Sequence, residues 1–530
     1  MTRERVAFGL VLVGIAVLAL PASGGAAPDA PASGTKASTD PLRDIAEAID
    51  SARLEEAEAA LARFAREQPE VLYERARLLF HTGDYTGAAE MGARAVEAAP
   101  TRRAESWKAM LDLMRASEES TRGHERLASP DGRYLILYPP GKDRVFAEYA
   151  LDVLIAADHA LTAAFETTLP GPIRLEIYPS PETLAKVSAL TEEQVRTTGT
   201  VALSKWNRLM ITSPKALVRG YGWADTIAHE LTHMMLSRVT GEKAPVWLQE
   251  GTAKLLERAW RSDDPAPRVD PGSLALLRTA SEKGKLLSFH QMHPSIAMLP
   301  SEDDAALAFA EVATFMTRYV ERHGKAALRD AFARIAAGTD ARDALAGAAH
   351  TTFAALEADW KHSLPHATAG AAPRRLKQRF RDSGGDGKDA DESEEVGGKE
   401  ARNFVRLGDL LWDRARFTGA TAEYRKAFAA AGDDPIVAAR FGRAALRAGD
   451  AKAAIQALEP LLARYPSHAP TYAVLGAARL RSGDRAGAAT VLREAIRINP
   501  FDPDPHCNLA DASAEAREVE RERRVCAELR

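Results

Sequence analysis

The sequence predicts a predominantly helical chain in which one α+β domain lies between two all-α helical-repeat modules. Three observations predict it. Small residues recur at a spacing of 34 toward the C-terminus, a shorter helical pair of the same kind stands near the N-terminus, and strand-like runs between them lead into a helix carrying paired histidines. At 530 residues the chain is too long for one core, and domain-size statistics suggest about three domains.

Residues 1–27 have the three parts of an export signal: Arg3 and Arg5, the apolar run Val6 to Leu20, and the small residues Ala22 to Ala27. The apolar run is short for a bilayer span, which needs about twenty residues, so a removed signal is the reading over an uncleaved anchor. This predicts an exported protein, periplasmic or secreted, with no membrane span after signal removal. No cysteine follows the run to carry a lipid. Residues 28–40, rich in Pro, Ser, Thr and Gly, read as a flexible lead-in.

Residues 41–122 read as a tetratricopeptide-like (TPR) helical module. Leu72 to Pro100 places Gly83-Asp84-Tyr85, Ala88, Ala95 and Pro100 in tetratricopeptide register, with helices expected within Pro41 to Gln68 and near Ala104 to Ser117. Ala57 and Ala88 are 31 apart, so the first unit is degenerate.

Residues 130–366 form the expected α+β domain. Tyr134–Tyr138 and Ile173–Tyr178 read as strands flanking a long helix from about Asp143 to Phe165, and further strands are expected at Thr200–Leu203 and Arg208–Thr212. Helices are expected at Ala305–His323 and Lys325–Ala337.

Residues 367–400 lose the apolar pattern, running from the basic cluster Arg374 to Arg381 into a Gly, Asp and Glu-rich stretch that reads as a disordered, solvated linker. Residues 401–530 read as a TPR array with a terminal cap. Gly408, Gly442 and Gly476 recur in the first helices and Ala420, Ala454 and Ala488 in the second, with turns at Gly449-Asp450 and Gly483-Asp484 and prolines at Pro466 and Pro500.

A net charge of −4 gives no electrostatic reason to expect nucleic acid or an anionic membrane as partner. Cys507 and Cys526 are the only cysteines; they form a bond permitted by export or are small buried residues of the last helices.

The chemistry is concentrated in His229-Glu230-Leu231-Thr232-His233 and in Trp247-Leu248-Gln249-Glu250-Gly251. Two histidines four apart lie on one helical face, about 6 Å apart, so both imidazoles can reach one ion. Ile227, Leu231 and Met235 supply an apolar stripe on another side. Glu230 then points at the coordination position where a catalytic zinc keeps its water.

On these residues the domain resembles the gluzincin metallopeptidases, the peptidase MA-like group among them. The resemblance implies a zincin-like fold, a Zn2+ cofactor, ligands His229, His233 and Glu250, and Glu230 as general base. It implies hydrolysis of peptide or protein substrates, with an edge strand that holds the substrate backbone; Gly199–Leu203 and Arg208–Thr212 are the candidates. Two positions depart from the family pattern. Lys254 stands where many relatives carry an acid that orients a zinc histidine, and a common tyrosine is replaced within Ala308-Phe309-Ala310-Glu311, leaving Tyr319, His290 and His293 as candidate transition-state donors. The TPR modules imply a protein partner held in their groove. A competing reading makes the chain a TPR scaffold whose peptidase-like domain is weak or inactive.

Overall fold

The computed structural model describes residues 41–292, 296, 299–364, 373, 376, 379–381 and 392–530. The expected signal, the lead-in and most of the expected linker lie outside the described residues.

The N-terminal module is five helices: α1 (Pro41–Asp50), α2 (Leu54–Leu61), α3 (Pro69–Thr82), α4 (Tyr85–Ala98) and α5 (Thr101–Thr121). The Gly-Asp turn works as its chemistry requires. Gly83 takes the left-handed φ of +91° that ends α3, and the Asp84 carboxylate caps α4 by accepting from Gly87 N at 2.9 Å.

The central domain is built on a sheet in the order β1-β2-β3-β5-β4: β1 (Glu125–Ala128), β2 (Tyr134–Tyr138), β3 (Ile173–Tyr178), β4 (Ala202–Lys205) and β5 (Arg208–Thr212). Strands β2, β3 and β5 run parallel, while β1 and β4 are antiparallel to their neighbours. Trp206 and Asn207, both with positive φ, close the β4–β5 hairpin in the two-residue conformation that matches strand twist. Of the two edge candidates, β5 is therefore interior and β4 is the edge. Between the strands come α6 (Asp143–Phe165), α7 (Pro181–Lys186) and α8 (Glu192–Thr198).

Alternation along β3 decides what each face meets. Ile173, Leu175 and Ile177 enter the main core with Phe146, Leu154 and Leu161 of α6. Arg174, Glu176 and Tyr178 face the opposite way and are buried, Tyr178 among Leu184, Val187 and Met210 and the other two against the N-terminal module. There Glu176 accepts from Arg174 Nε at 3.0 Å, Arg208 Nη1 at 2.9 Å, Tyr178 Oη at 2.6 Å and the Tyr85 hydroxyl of α4. Arg208 also donates to Ser117 Oγ of α5 at 3.2 Å. Burial alone would raise the Glu176 carboxyl, but Arg208 and Arg174 hold it below its ordinary range.

After the sheet follow α9 (Trp223–Thr240), α10 (Val246–Leu256), α11 (Pro271–Glu282), α12 (Glu302–Ala336), α13 (Ala341–Ala348) and α14 (Phe353–Ser363). Gly324, at φ +80°, breaks α12 between the two helices the sequence predicts there.

The C-terminal array pairs α15 (Lys399–Asp413) with α16 (Phe417–Ala431), α17 (Pro435–Arg447) with α18 (Ala451–Leu458), α19 (Ala469–Arg481) with α20 (Arg485–Ile498), and α21 (Pro503–Ala512) with α22 (Ala516–Leu529). The repeating glycines are where paired helices touch. A Cβ at Gly408, Gly442 or Gly476 would lie 2.5, 2.8 or 2.4 Å from Tyr424, Leu458 or Leu492 respectively. A Cys507–Cys526 disulfide joins α21 to α22, which resolves the two alternatives left open for the cysteines.

The array folds back onto the central domain. Tyr149 of α6 donates to Glu522 of α22 at 2.6 Å, Trp223 Nε1 donates to the Ile496 carbonyl at 2.9 Å, and Arg261 pairs with Glu494 at 2.8 Å. Part of the repeat surface is thus used inside the chain.

The linker expectation needs correction for its described residues. Arg379 and Arg381 pair by backbone with the loop at Ala216–Val218, Val396 is fully buried, and Arg219 bonds Glu392 and Glu395 of a 3-10 turn at Glu392–Glu395. The charged composition that suggested a solvated tether is matched here by fixed opposite charges.

Candidate metal centre

Helix α9 begins after Gly222 and ends at Gly241, whose φ of +60° suits a glycine C-cap. Its apolar stripe packs Ile227, Leu231 and Met235 into the main core. That leaves His229 and His233 on the side facing α10, with ring centroids 4.9 Å apart. Gly251 lets α10 approach α12 closely, since a Cβ there would lie 2.6 Å from Met316 and 3.0 Å from the Val312 carbonyl. The preceding residue, Glu250, is thereby presented to α9.

The side chains meet. Glu250 Oε2 lies 3.3 Å from His229 Nε2 and 3.8 Å from His233 Nε2, and one ligand atom from each of the three residues falls within 4.8 Å of the others. All three are buried, as is Glu230. His229 Nε2, both His233 nitrogens and both Glu230 oxygens are buried without a hydrogen-bond partner. Buried polar atoms are rarely left so, and converging imidazole and carboxylate donors are the set a divalent cation satisfies. The residues present therefore fit a metal.

One residue the sequence reading did not single out completes the arrangement. His229 Nδ1 lies 3.1 Å from Glu257 Oε2, and Lys254 Nζ donates to Glu257 Oε1 at 2.6 Å. With Nδ1 protonated and donating to Glu257, Nε2 keeps its lone pair for the ion. Lys254 thus does not leave the histidine without an orienting acid; it braces an acid placed one turn later. Glu257 stands seven residues, or two turns, after Glu250, and that spacing was the available signal.

Electrostatics follow from burial and neighbours. Burial lowers His229, but Glu250 and Glu257 outweigh it and raise the imidazole to about 9. His233 is driven well below its ordinary value by burial and by His229. Burial pushes the Glu230 carboxyl up to about 8; His229 opposes, Glu250 adds, and Ser204 on β4 opposes.

Of the candidate transition-state donors, the structure describes Tyr319 and His290, and shows neither at the metal ligands. Tyr319 is buried and donates to the Leu345 carbonyl at 3.0 Å, His290 is exposed, and His293 lies outside the described residues. Phe309 packs against the main core and Glu311 accepts from Leu287 N at 2.9 Å. Tyr221, whose surroundings include Glu230, donates instead to the Thr212 carbonyl.

Comparison with known proteins agrees with this layout. Residues 154–366 match the Peptidase MA superfamily, and residues 47–103 and 439–503 match the tetratricopeptide repeat. The chain therefore carries a peptidase MA superfamily domain flanked by TPR repeats within a predominantly helical fold. Among curated proteins no relative matches. Solved structures similar to it include the MamA protein (20% identity over 25% of this chain and 72% of that one, TM-score 0.22). Others are a thermophilic TPR protein of Thermus thermophilus (24% identity, 24% and 72%, TM-score 0.22) and the first TPR of Spaghetti bound to an HSP90 peptide (18% identity, 22% and 93%, TM-score 0.21).

Proposed function

We propose that the chain is an exported zinc-dependent metallopeptidase that hydrolyses peptide bonds in protein or peptide substrates. The observation that carries this is the convergence of His229, His233 and Glu250 beside a buried Glu230. Two imidazoles and a carboxylate are a donor set suited to catalytic zinc. When bound, the ion supplies Lewis acidity, polarising a carbonyl and acidifying water.

The chain's own residues do the rest. Strand β4, the edge of the sheet among the described residues, pairs with an extended substrate backbone, so the scissile bond lies along Ala202–Lys205. Glu230 accepts the proton of the attacking water as the new C–O bond forms, and delivers it to the departing amine as the C–N bond breaks. Glu257 keeps His229 in its ligating tautomer, with Lys254 fixing Glu257.

Export is supported by the N-terminal sequence and by the Cys507–Cys526 disulfide, a bond favoured outside the reducing cytoplasm. Among the described residues no helix is long and apolar enough to cross a membrane. The repeats supply surfaces for a protein partner; Leu407 and Leu410 of α15 are exposed apolar side chains on one of them.

Metal analysis with cleavage-site mapping tests the reading. Purified protein binds one zinc and cleaves unfolded polypeptides in a chelator-sensitive manner; Glu230→Gln keeps the zinc and loses turnover, and His229→Ala loses both. Full activity in Glu230→Gln would overturn the assignment.

A further inference from the structure

The histidine helix and the turn after α10 share a carboxylate. Asp225 lies on α9 one turn before His229, and it accepts from Arg261 Nε and Nη2 at 2.7 Å each, from Arg258 Nη1 at 3.3 Å and from Trp260 Nε1 at 3.1 Å. All three donor residues follow Glu257, the acid that orients His229, within four positions. A two-pronged contact between guanidinium and carboxylate fixes direction as well as distance. The contact between His229 Nδ1 and Glu257 is thus flanked by a bidentate tie one turn earlier on α9.

The C-terminal array holds the other end of that tie. Arg261 Nη1 donates to Glu494 of α20, at 2.8 Å to Oε1 and 3.0 Å to Oε2, so one guanidinium serves a carboxylate of each domain. Arg258 and Arg261 are both buried. The surrounding charges are matched: Arg258 and Arg268 share Asp264, and Arg497 pairs with Asp263 and with Glu494 itself. A buried guanidinium that loses one of its acids is left uncompensated, because each neighbouring acid is already committed.

A cavity of about 260 Å³ lies at this junction, lined both by Lys254 and Glu257 and by Tyr465, His468 and Glu494 of the array. Side chains that border open space have fewer neighbours to hold them in place. The orientation of Glu257 therefore depends on ion pairs more than on packing.

We propose that Glu494, a residue of the C-terminal repeats, is a positioning residue of the metal centre. By holding Arg261 against Asp225 it keeps Glu257 on His229, so the array sets the zinc affinity of a site whose three ligands all lie in the central domain. This rests on the zinc reading of His229, His233 and Glu250.

The test measures zinc affinity of the full-length protein by chelator competition in the unsubstituted chain, in Glu494→Gln, in Glu257→Ala and in the double variant. Glu494→Gln keeps the size of the side chain and removes its charge. It weakens zinc binding about three- to tenfold, within the range carried by a contiguous ion-pair network. In the Glu257→Ala background the same change has no further effect, because the residue it acts through is gone. Arg261→Lys, which keeps the charge but not the planar fork, weakens zinc at least as much. Glu518→Gln breaks the Arg493–Glu518 pair between α20 and α22, at 2.7 Å, and leaves zinc affinity unchanged. Unchanged affinity in Glu494→Gln, an equal loss with and without Glu257, or an equal loss in Glu518→Gln overturns the proposal. In each of those cases zinc binding by the unsubstituted chain leaves the metal centre standing, whereas a chain that binds no zinc overturns both.

Discussion

Glu257 Oε2 lies 3.1 Å from His229 Nδ1, which gives the candidate metal centre an orienting carboxylate at the C-cap of the helix that supplies Glu250. Lys254 holds the other oxygen, so the acid has little freedom to turn away. Loss of such an orienting partner typically weakens metal binding 10–100-fold. Glu257→Ala should therefore raise the zinc dissociation constant by about that factor in a chelator competition, and Lys254→Met should raise it less. Unchanged affinity in Glu257→Ala would remove Glu257 from the metal centre.

The cluster around Glu176 makes a second prediction, about how the N-terminal module is attached. Glu176 is the carboxylate that faces both Arg174 and Arg208, and Tyr85 and Ser117 bring α4 and α5 to the same cluster. Removing one partner of a buried ion pair leaves an uncompensated charge and costs roughly 3–5 kcal/mol. Glu176→Gln should lower the urea midpoint accordingly, and limited proteolysis should release the module before the central domain is cut. Simultaneous loss of both would show that the module and the sheet form one cooperative unit.

Glu311 sets a pH dependence away from the metal ligands. Burial pushes its carboxyl up to about 8, against the Leu287 N–H and Lys361, which lower it, and with Glu357, which raises it. The unfolded carboxyl titrates near 4.5, so between those values the folded state holds a proton that the unfolded state has lost. Stability attributable to this group therefore falls as pH rises through that window and levels off above about 8. Glu311→Gln keeps the acceptor for Leu287 and removes the titration, so it should stabilise by a few kcal/mol at pH 8.5 relative to pH 4, on the order expected from linkage. Parallel melting curves of the two proteins at both pH values decide it.

Where side chains repeat or alternate, the fold and the candidate site were legible in the sequence. The 34-residue spacing marks Gly442 and Gly476 because a small residue is required where Leu458 and Leu492 press on them. The His229–His233 spacing placed both rings on one face, and the apolar pattern of Tyr134–Tyr138 and Ile173–Tyr178 matched strands of the same bounds. Strand β1 was not anticipated, since Glu125-Arg126-Leu127-Ala128 is largely exposed and its pairing with β2 comes from the neighbour, not from its own pattern. Glu257 escaped notice because its role depends on where α10 packs. The ordered residues 392–396 were hidden by composition, which registers charge but not the Arg219 that meets it.

Gly220 offers a final prediction, linking the C-terminal array to the metal centre. It has φ +69°, and a Cβ there would lie 2.2 Å from the Ile498 carbonyl at the end of α20. The next residue donates its N–H to that same carbonyl at 3.0 Å, and Trp223, the first residue of α9, bonds the Ile496 carbonyl. The loop that starts the histidine helix is therefore seated directly on a repeat. Gly220→Ala combines a left-handed conformation unfavourable for alanine with a backbone clash that cannot relax by rotating a side chain, at a cost of roughly 2–4 kcal/mol. Hydrogen exchange should show the amides of Tyr221 to Trp223 and of the α20 C-terminus losing protection together, with α3 and α4 unaffected. Protection unchanged in that segment would mean that the array and α9 are not coupled through this contact.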